Sequence, residues 1–241
     1  MWLALQCCIA RTQAYPVPGN EASSMSDVAL VVNAGGASKR MAAGHKALLP
    51  VPPHGFALIN HIIDRLSRLA TSGTIVVAND TAIVTAVRVH QGQSCTVVPD
   101  RWPQTGAMGG LATGLLQCTG WAMVVACDMP FVSPRLFRML RDMATEDESG
   151  AAHRWDAVVP RVRGFPHMMH AVYHASAVPQ MEAMIHADNL KLLDLLPRLS
   201  VRYVGEEEMA AVDPELRSLT NVNTDEDWAD ALQHAAWTSN P

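Results

Sequence analysis

Val28–Val51 reads VALVVNAGGASKRMAAGHKALLPV, and the rest of the chain takes its place around this stretch. Val28–Val32 is an unbroken apolar run, the composition of a strand buried on both faces in a parallel sheet. The run stops at Asn33, Ala34-Gly35-Gly36 follows, and Lys39, Arg40, His45 and Lys46 then crowd into eight residues. Only three lysines occur in the chain, Lys39, Lys46 and Lys191, and two of them stand here. Glycines after a buried strand let backbone N–H groups converge, and nearby cations close over an anion. That is a cradle for polyphosphate, and the stretch reads as a nucleoside triphosphate site. It matches neither G-x-x-x-x-G-K-[ST] nor G-x-G-x-x-G, so P-loop and dinucleotide fingerprints are excluded.

Outward from the cradle, strands and helices alternate. Phe56–Ala70 places Leu58, Ile59, Ile62, Ile63, Leu66 and Leu69 on one helical face, opposite Asp64, Arg65 and Arg68. Thr74–Ala78 reads as a second strand, and Asn79-Asp80 as the cap of a helix running through Val89. Cys95–Val98 is a third strand, Gly106–Gly110 a second glycine loop with a short helix after it, and Trp121–Ala126 a fourth strand. Ser133-Pro134 opens the next helix. Four alternations with short connections predict an α/β fold: three αβα layers around a mostly parallel, Rossmann-like sheet wound right-handed. Strand order is not readable.

Past the acidic stretch Glu146–Glu148, strands are expected at Ala157–Val159, Ala171–Tyr173 and Val201–Val204, and helices at Val178–Ile185 and Leu190–Leu196. Thr224 should cap a C-terminal helix, with Asp225, Glu226 and Asp227 at its positive end. With no repeat and no linker tract, residues 25–241 are expected to form a single domain. Residues 1–24 read as a disordered tail or an early gene start, with Met25 as the alternative. Their apolar run lacks the basic flank of a secretory signal.

A net charge of −5 over 241 residues argues against a nucleic-acid surface, so an anionic ligand has to be met locally. The five cysteines include no C-x-x-C pair and are odd in number, which fits a reducing cytoplasm better than a disulfide framework. No apolar run reaches the ~20 residues that span a bilayer.

Ligands of open α/β sheets sit outside the carboxyl ends of the strands. The glycine loop, Asp100 after the third strand and Asp128 after the fourth all fall there. A carboxylate at a buried strand end has to be solvated, paired or metal-bound. Magnesium takes one or two carboxylates together with water and substrate phosphates, which makes Asp128 a metal ligand that complements the cradle. Capping competes with ligand binding at Asp100. His167, His170 and His174 do not share a strand face, so a soft-metal site is disfavoured. Cys127 reads as packing, not as a nucleophile.

Asn33-Ala34-Gly35-Gly36-Ala37-Ser38-Lys39-Arg40-Met41, Lys46-Ala47-Leu48-Leu49, Cys127-Asp128-Met129-Pro130 and Asn221-Val222-Asn223-Thr224 together resemble the molybdenum cofactor guanylyltransferases. These belong to the nucleotidyltransferases with a glycosyltransferase-A-like fold, and the likeness runs from Val28 to about Ala236. It implies GMP transfer from GTP to the phosphate of molybdopterin, with magnesium as cofactor and pyrophosphate as leaving group. It also implies nucleotide contacts from Asn33, Ala34, Gly35, Gly36, Ser38, Lys46, Asn79, Asp100 and Asp128. Arg40, Lys46 and Asp128 would be catalytic, Asp128 would hold the metal, and Asn221 and Asn223 would face the acceptor. Molybdoenzymes or cofactor chaperones are the protein partners such an enzyme would serve.

Some positions depart from the family pattern. Asn33 replaces a leucine, Ala42 a glycine, and His45 the aspartate that commonly precedes the lysine. The segment His167-Met168-Met169-His170 lacks the usual proline, which bears on the acceptor pocket. The nearest rival is a cytidylyltransferase of the same fold, acting on molybdopterin or an isoprenoid-precursor phosphate. Ala-Gly-Gly with Cys-Asp before Met-Pro favours guanine in the resembled relatives. A nucleotide-binding accessory protein without turnover would tolerate loss of Lys46 or Asp128, and both are present.

Overall fold

The computed structural model describes residues 27–35, 45–145 and 155–233. Gly36, Ser38, Lys39, Arg40, the segment 1–24 and the acidic stretch 146–148 lie outside the described residues. In chain order the elements are β1 (Val28–Asn33), β2 (Pro50–Val51), β3 (Phe56–Ala57), α1 (Leu58–Leu66), β4 (Thr74–Val77), α2 (Thr81–Gln91) and β5 (Cys95–Val98). Then come α3 (Ala107–Leu115), β6 (Trp121–Ala126), α4 (Pro134–Thr145), β7 (Ala157–Val162), β8 (Phe165–Pro166) and β9 (His170–His174). The last are α5 (Val178–His186), β10 (Val201–Val204), α6 (Glu206–Ala210) and α7 (Asp225–Leu232).

The main sheet runs β10-β7-β9-β6-β1-β4-β5, with β8 paired to β7. β6, β1, β4 and β5 are mutually parallel, as the alternation predicts, and β10 is parallel to β7. β9 runs antiparallel to both β6 and β7. It returns through a hairpin instead of a crossover helix, which is what permits that direction. Arg163 and Gly164 both take positive φ between β7 and β8, the backbone that a two-residue hairpin turn requires.

β1 alternates its side chains between two cores. Leu30 and Val32 pack with Ile59, Ile63, Phe137, Leu140 and Trp228 on one face. Ala29 and Val31 pack with Met108, Leu111, Leu115, Met181 and Met184 on the other. The three-layer reading therefore stands, with α1, α2, α4 and α7 below the sheet and α3 and α5 above it.

Some boundaries differ from the sequence reading. Phe56–Ala57 forms a short antiparallel pair with β2, so the helix begins at Leu58 and its end tightens into a 3-10 turn over Ser67–Leu69. Leu190–Leu196 is not a helix: it yields 3-10 turns at Leu192–Asp194 and Leu196–Arg198. Pro197 cannot continue an α-helix, and Asn189 competes locally by donating to the Asp194 carboxylate.

Gly109 and Gly110 lie inside α3 and not in a loop before it. They serve close approach: a Cβ on Gly109 would stand 2.6 Å from the Trp102 carbonyl oxygen, and one on Gly110 would be 2.5 Å from Asn33 Nδ2. Gly114, one turn on, lies against Val31 Cγ1, which an added methyl would overlap. Gly114→Ala is expected to destabilise the protein by about 1–3 kcal/mol through overpacking. A lowered urea midpoint at unchanged slope is the readout; an unaltered midpoint would mean that α3 can shift away from β1.

Candidate active site

The carboxyl ends of β1, β4, β5 and β6 form one edge, and most of the expected site residues gather there. Ala34 continues the ladder, its N–H donating to the Val77 carbonyl. The Gly35 N–H donates to Asn33 Oδ1 at 3.0 Å. The missing side chain of Gly35 leaves room for Asp100, whose Oδ2 would lie 3.2 Å from a Cβ at that position.

Asp100 is held from three sides. Its Oδ1 accepts from the Trp102 N–H at 2.9 Å and the Thr113 hydroxyl at 3.1 Å. Its own N–H donates to Asn79 Oδ1 at 2.9 Å. Oδ2 is buried and has no hydrogen-bond partner among the described residues. Burial pushes the carboxyl above its ordinary range, and the bonds from Trp102 and Thr113 oppose this. Asn79 is thus the side chain that fixes the chain entering Asp100. The neighbouring Asp80 caps α2, accepting from the Ala82 and Ile83 N–H groups.

Lys46 opens the turn after the glycine loop and is buried. Its ammonium donates to Asn223 Oδ1 at 2.8 Å and lies 3.9 Å from Asp128 Oδ2. Burial raises the Asp128 carboxyl and the charge on Lys46 lowers it, burial being the larger effect. Asp128 Oδ1 is buried without a hydrogen-bond partner among the described residues. The Asp128 carbonyl accepts from the Val222 N–H at 2.9 Å, which ties β6 to the Asn221–Asn223 segment. Asp227 then secures that segment: its Oδ2 accepts from both the Asn223 and Thr224 N–H groups, while Thr224 Oγ1 accepts from the Asp227 N–H. Thr224 caps α7 as expected.

Asn221 points the same segment toward a cleft of about 350 Å³, lined also by Met129, Phe165, His167, Met169 and Leu193. Phe165 and Leu193 are exposed at 73% and 59%, so the lip of the cleft is apolar. The floor after β6 is clamped from α1, where Arg65 Nε donates to the Val132 carbonyl at 2.9 Å and His61 Nε2 lies 3.2 Å from the Pro130 carbonyl.

His167, His170 and His174 do not converge. His174 accepts from the Ser176 N–H and sits edge-on to Trp121, whereas His170 is fully buried against Phe137. Burial pushes the His170 imidazole down to about 3. An unfolded histidine begins to protonate near 6.5, so the stability of this site is intact above that pH and falls as the solution is acidified. The loss should reach about 2 kcal/mol between pH 7 and pH 5. Denaturant titrations at both pH values should show it, and His170→Leu should lessen the dependence, leaving the part that His61 contributes, its imidazole pushed down to about 4 by burial. An equally steep dependence in that variant would assign the effect elsewhere. The Cys127 thiol is pushed up to about 12 by burial, which fits packing and not attack.

The expected residues Ala34, Gly35, Lys46, Asn79, Asp100, Asp128 and Asn223 therefore share one edge, and Asn221 extends it into the cleft. Gly36, Ser38 and Arg40 fall outside the described residues. Asn33 is at the edge, but its side chain is turned to protein groups, the Ala107 carbonyl and the Gly35 N–H. The contacts of Thr113, His61 and Arg65 were not legible in the sequence, since each acts on a partner made near only by folding. Asp227 was placed in the first turn of α7, and that capping position was the signal for the anchoring role it plays.

Residues 30–201 match the family model of the MobA-like NTP transferase domain. A probable molybdenum cofactor guanylyltransferase of Natronomonas pharaonis is 31% identical over 202 residues, covering 82% of this chain and 93% of the relative. The molybdenum cofactor guanylyltransferase of Desulfosudis oleivorans is 26% identical over 204 residues, covering 84% and 93%. Among solved structures, molybdopterin-guanine dinucleotide biosynthesis protein A of Archaeoglobus fulgidus superposes with a TM-score of 0.68 at 27% identity, covering 85% of this chain and 97% of that one. A CMP:2-keto-3-deoxy-manno-octonic acid synthetase superposes at 0.60 with 13% identity, a likeness of fold alone. The chain belongs to the MobA-like NTP transferase family, and it is a nucleotidyltransferase.

Proposed function

We propose that the chain transfers GMP from GTP to the phosphate of molybdopterin, forming the guanine dinucleotide of the cofactor. An acceptor phosphate oxygen attacks the α-phosphorus, the bond from that phosphorus to the bridging oxygen breaks, and pyrophosphate leaves. The observation that carries this reading is the buried ammonium of Lys46, placed between Asp128 and Asn223. One cation there reaches both the phosphate edge and the segment that borders the cleft.

The attacking phosphate is already ionised, so the site has to align and neutralise more than it has to withdraw a proton. Lys46, joined by Arg40, would offset the charge that builds on the departing pyrophosphate. Gly35, Gly36 and Ser38 would line the phosphates, with Asn79 and Asp100 on the nucleoside side. Asn221 and Asn223 would border the acceptor, whose ring system suits the apolar cleft beside them.

The residues fit a magnesium ion. Asp128 offers a buried carboxylate oxygen that has no hydrogen-bond partner among the described residues, and its ionisation is held back by burial in a way that a cation would relieve. Bound there, magnesium would polarise phosphate oxygens as a Lewis acid. Asp128 would hold it, with substrate phosphates and water supplying the remaining positions. We place the reaction in the cytoplasm, where Cys95, Cys118 and Cys127 stay as free thiols. Among the described residues no helix is long and apolar enough to cross a membrane.

The fold is shared with cytidylyl enzymes, so it does not choose the base. The relatives named for guanylyl transfer and the Ala34-Gly35-Gly36 and Cys127-Asp128 pairs support guanine. Purified protein with magnesium and molybdopterin is expected to consume GTP at least about tenfold faster than CTP, a gap worth ~1.4 kcal/mol of transition-state binding. Equal or faster use of CTP would overturn the guanine assignment.

A further inference from the structure

We propose that Asn33 is a positioning residue that sets the entry of the phosphate loop by locking it to α3. Its side chain is not a direct nucleotide ligand. This rests on the reading of the Ala34–Lys46 segment as the triphosphate cradle. Asn33 ends β1 and is 6% exposed. Its Nδ2 donates to the Ala107 carbonyl at 3.2 Å, in the first turn of α3, and its Oδ1 accepts from the Gly35 N–H at 3.0 Å. Both ends of the amide are thereby engaged with protein groups 74 and 2 residues away. A group so placed has little freedom to reach a ligand.

Gly110 makes the arrangement possible. A methyl at that position would fall on the Asn33 amide, 2.5 Å from Nδ2 and 2.6 Å from Cγ. Asn33 and Gly110 are thus a matched pair, one filling the space the other leaves. The Asn33 carbonyl also accepts from the Cys127 N–H, one residue before Asp128. Asn33 therefore joins the glycine loop, the start of α3 and the chain bearing the proposed metal ligand. Capturing the Gly35 N–H before substrate arrives fixes the Asn33–Gly35 backbone in the free protein, which lowers the ordering cost of binding at that point.

Leucine matches asparagine in shape and lacks both hydrogen bonds, so Asn33→Leu isolates the bonds from the packing. In the full chain with magnesium and molybdopterin, KM for GTP should rise about tenfold for the loss of two such bonds, with a smaller change in kcat. The Gly35 amide, followed by hydrogen exchange in the free protein, should exchange at least about tenfold faster. Should Asn33→Leu fail to fold, Gly110→Ala is the second variant. It displaces the asparagine amide and should raise KM similarly, and it should do less harm in an Asn33→Ala background, where the methyl has room. An unchanged or lower KM, unaltered Gly35 exchange, or additive effects in the paired variants would each overturn the proposal. Absence of GTP turnover in the wild-type protein would instead overturn the nucleotide reading itself.

Discussion

Asp128→Ala is expected to lower pyrophosphate release by at least about 10³-fold while the protein stays folded. The loss follows from position. Asp128 carries a buried oxygen with no hydrogen-bond partner among the described residues, beside the Lys46 ammonium, at the end of a central strand. Stability should survive for a separate reason. Burial already disfavours the ionised carboxylate, so removing it relieves that desolvation, which offsets the counter-charge that Lys46 loses at 3.9 Å. Lys46 keeps its bond to Asn223, and the Asp128 main chain still accepts from the Val222 N–H. Steady-state release assays and a thermal melt test both halves. Turnover within tenfold of wild type would place the metal, or the reaction, elsewhere.

Lys46→Met should cost about 10²–10³-fold in kcat/KM for GTP. Methionine retains an unbranched apolar side chain of similar length, so packing against the buried surroundings is largely kept and the charge is lost. Two consequences distinguish this from general damage. Asn223 loses the donor it accepts from at 2.8 Å, which loosens the segment that Asp227 anchors. The Asp128 carboxyl also loses the charge that lowers it, so its pKa rises further. Because the carboxylate is the active form, the acid limb of the rate profile should move to higher pH in Lys46→Met. A limb that stays in place would separate Asp128 ionisation from the rate. An undiminished kcat/KM would remove Lys46 from the phosphate site.

The central half of the sheet was legible because each strand is an apolar run ended by glycine, proline or a carboxylate. β1, β4, β5 and β6 follow those runs within one residue. Asp128 was legible because a carboxylate at the end of a buried run needs a partner, and Lys46 because cations crowd after the glycines; folding makes each the other's neighbour. The other half was harder. β9 is antiparallel because of a hairpin whose turn, Arg163-Gly164, leaves a weak local mark. Leu190–Leu196 has helical spacing, yet Pro197 and the Asn189 side chain turn it into short 3-10 segments. The glycines at 109 and 110 looked like loop formers, and their use emerges only when α3 lies on β1 and the Asp100 turn. The resemblance implied a nucleotide contact at Asn33, and the orientation of its side chain depends on Ala107, 74 residues away. Pairings at that separation carry no local period and no short motif, so folding has to bring them into view.

Guanylyl transfer onto an acceptor phosphate is tested most directly by product mass. The purified protein would be incubated with magnesium, molybdopterin and either GTP or CTP, and the pterin products weighed. A species heavier than molybdopterin by one GMP unit, formed with GTP together with an equivalent of pyrophosphate, is the expected result. A CMP adduct formed in preference, or unmodified molybdopterin beside consumed GTP, would contradict it.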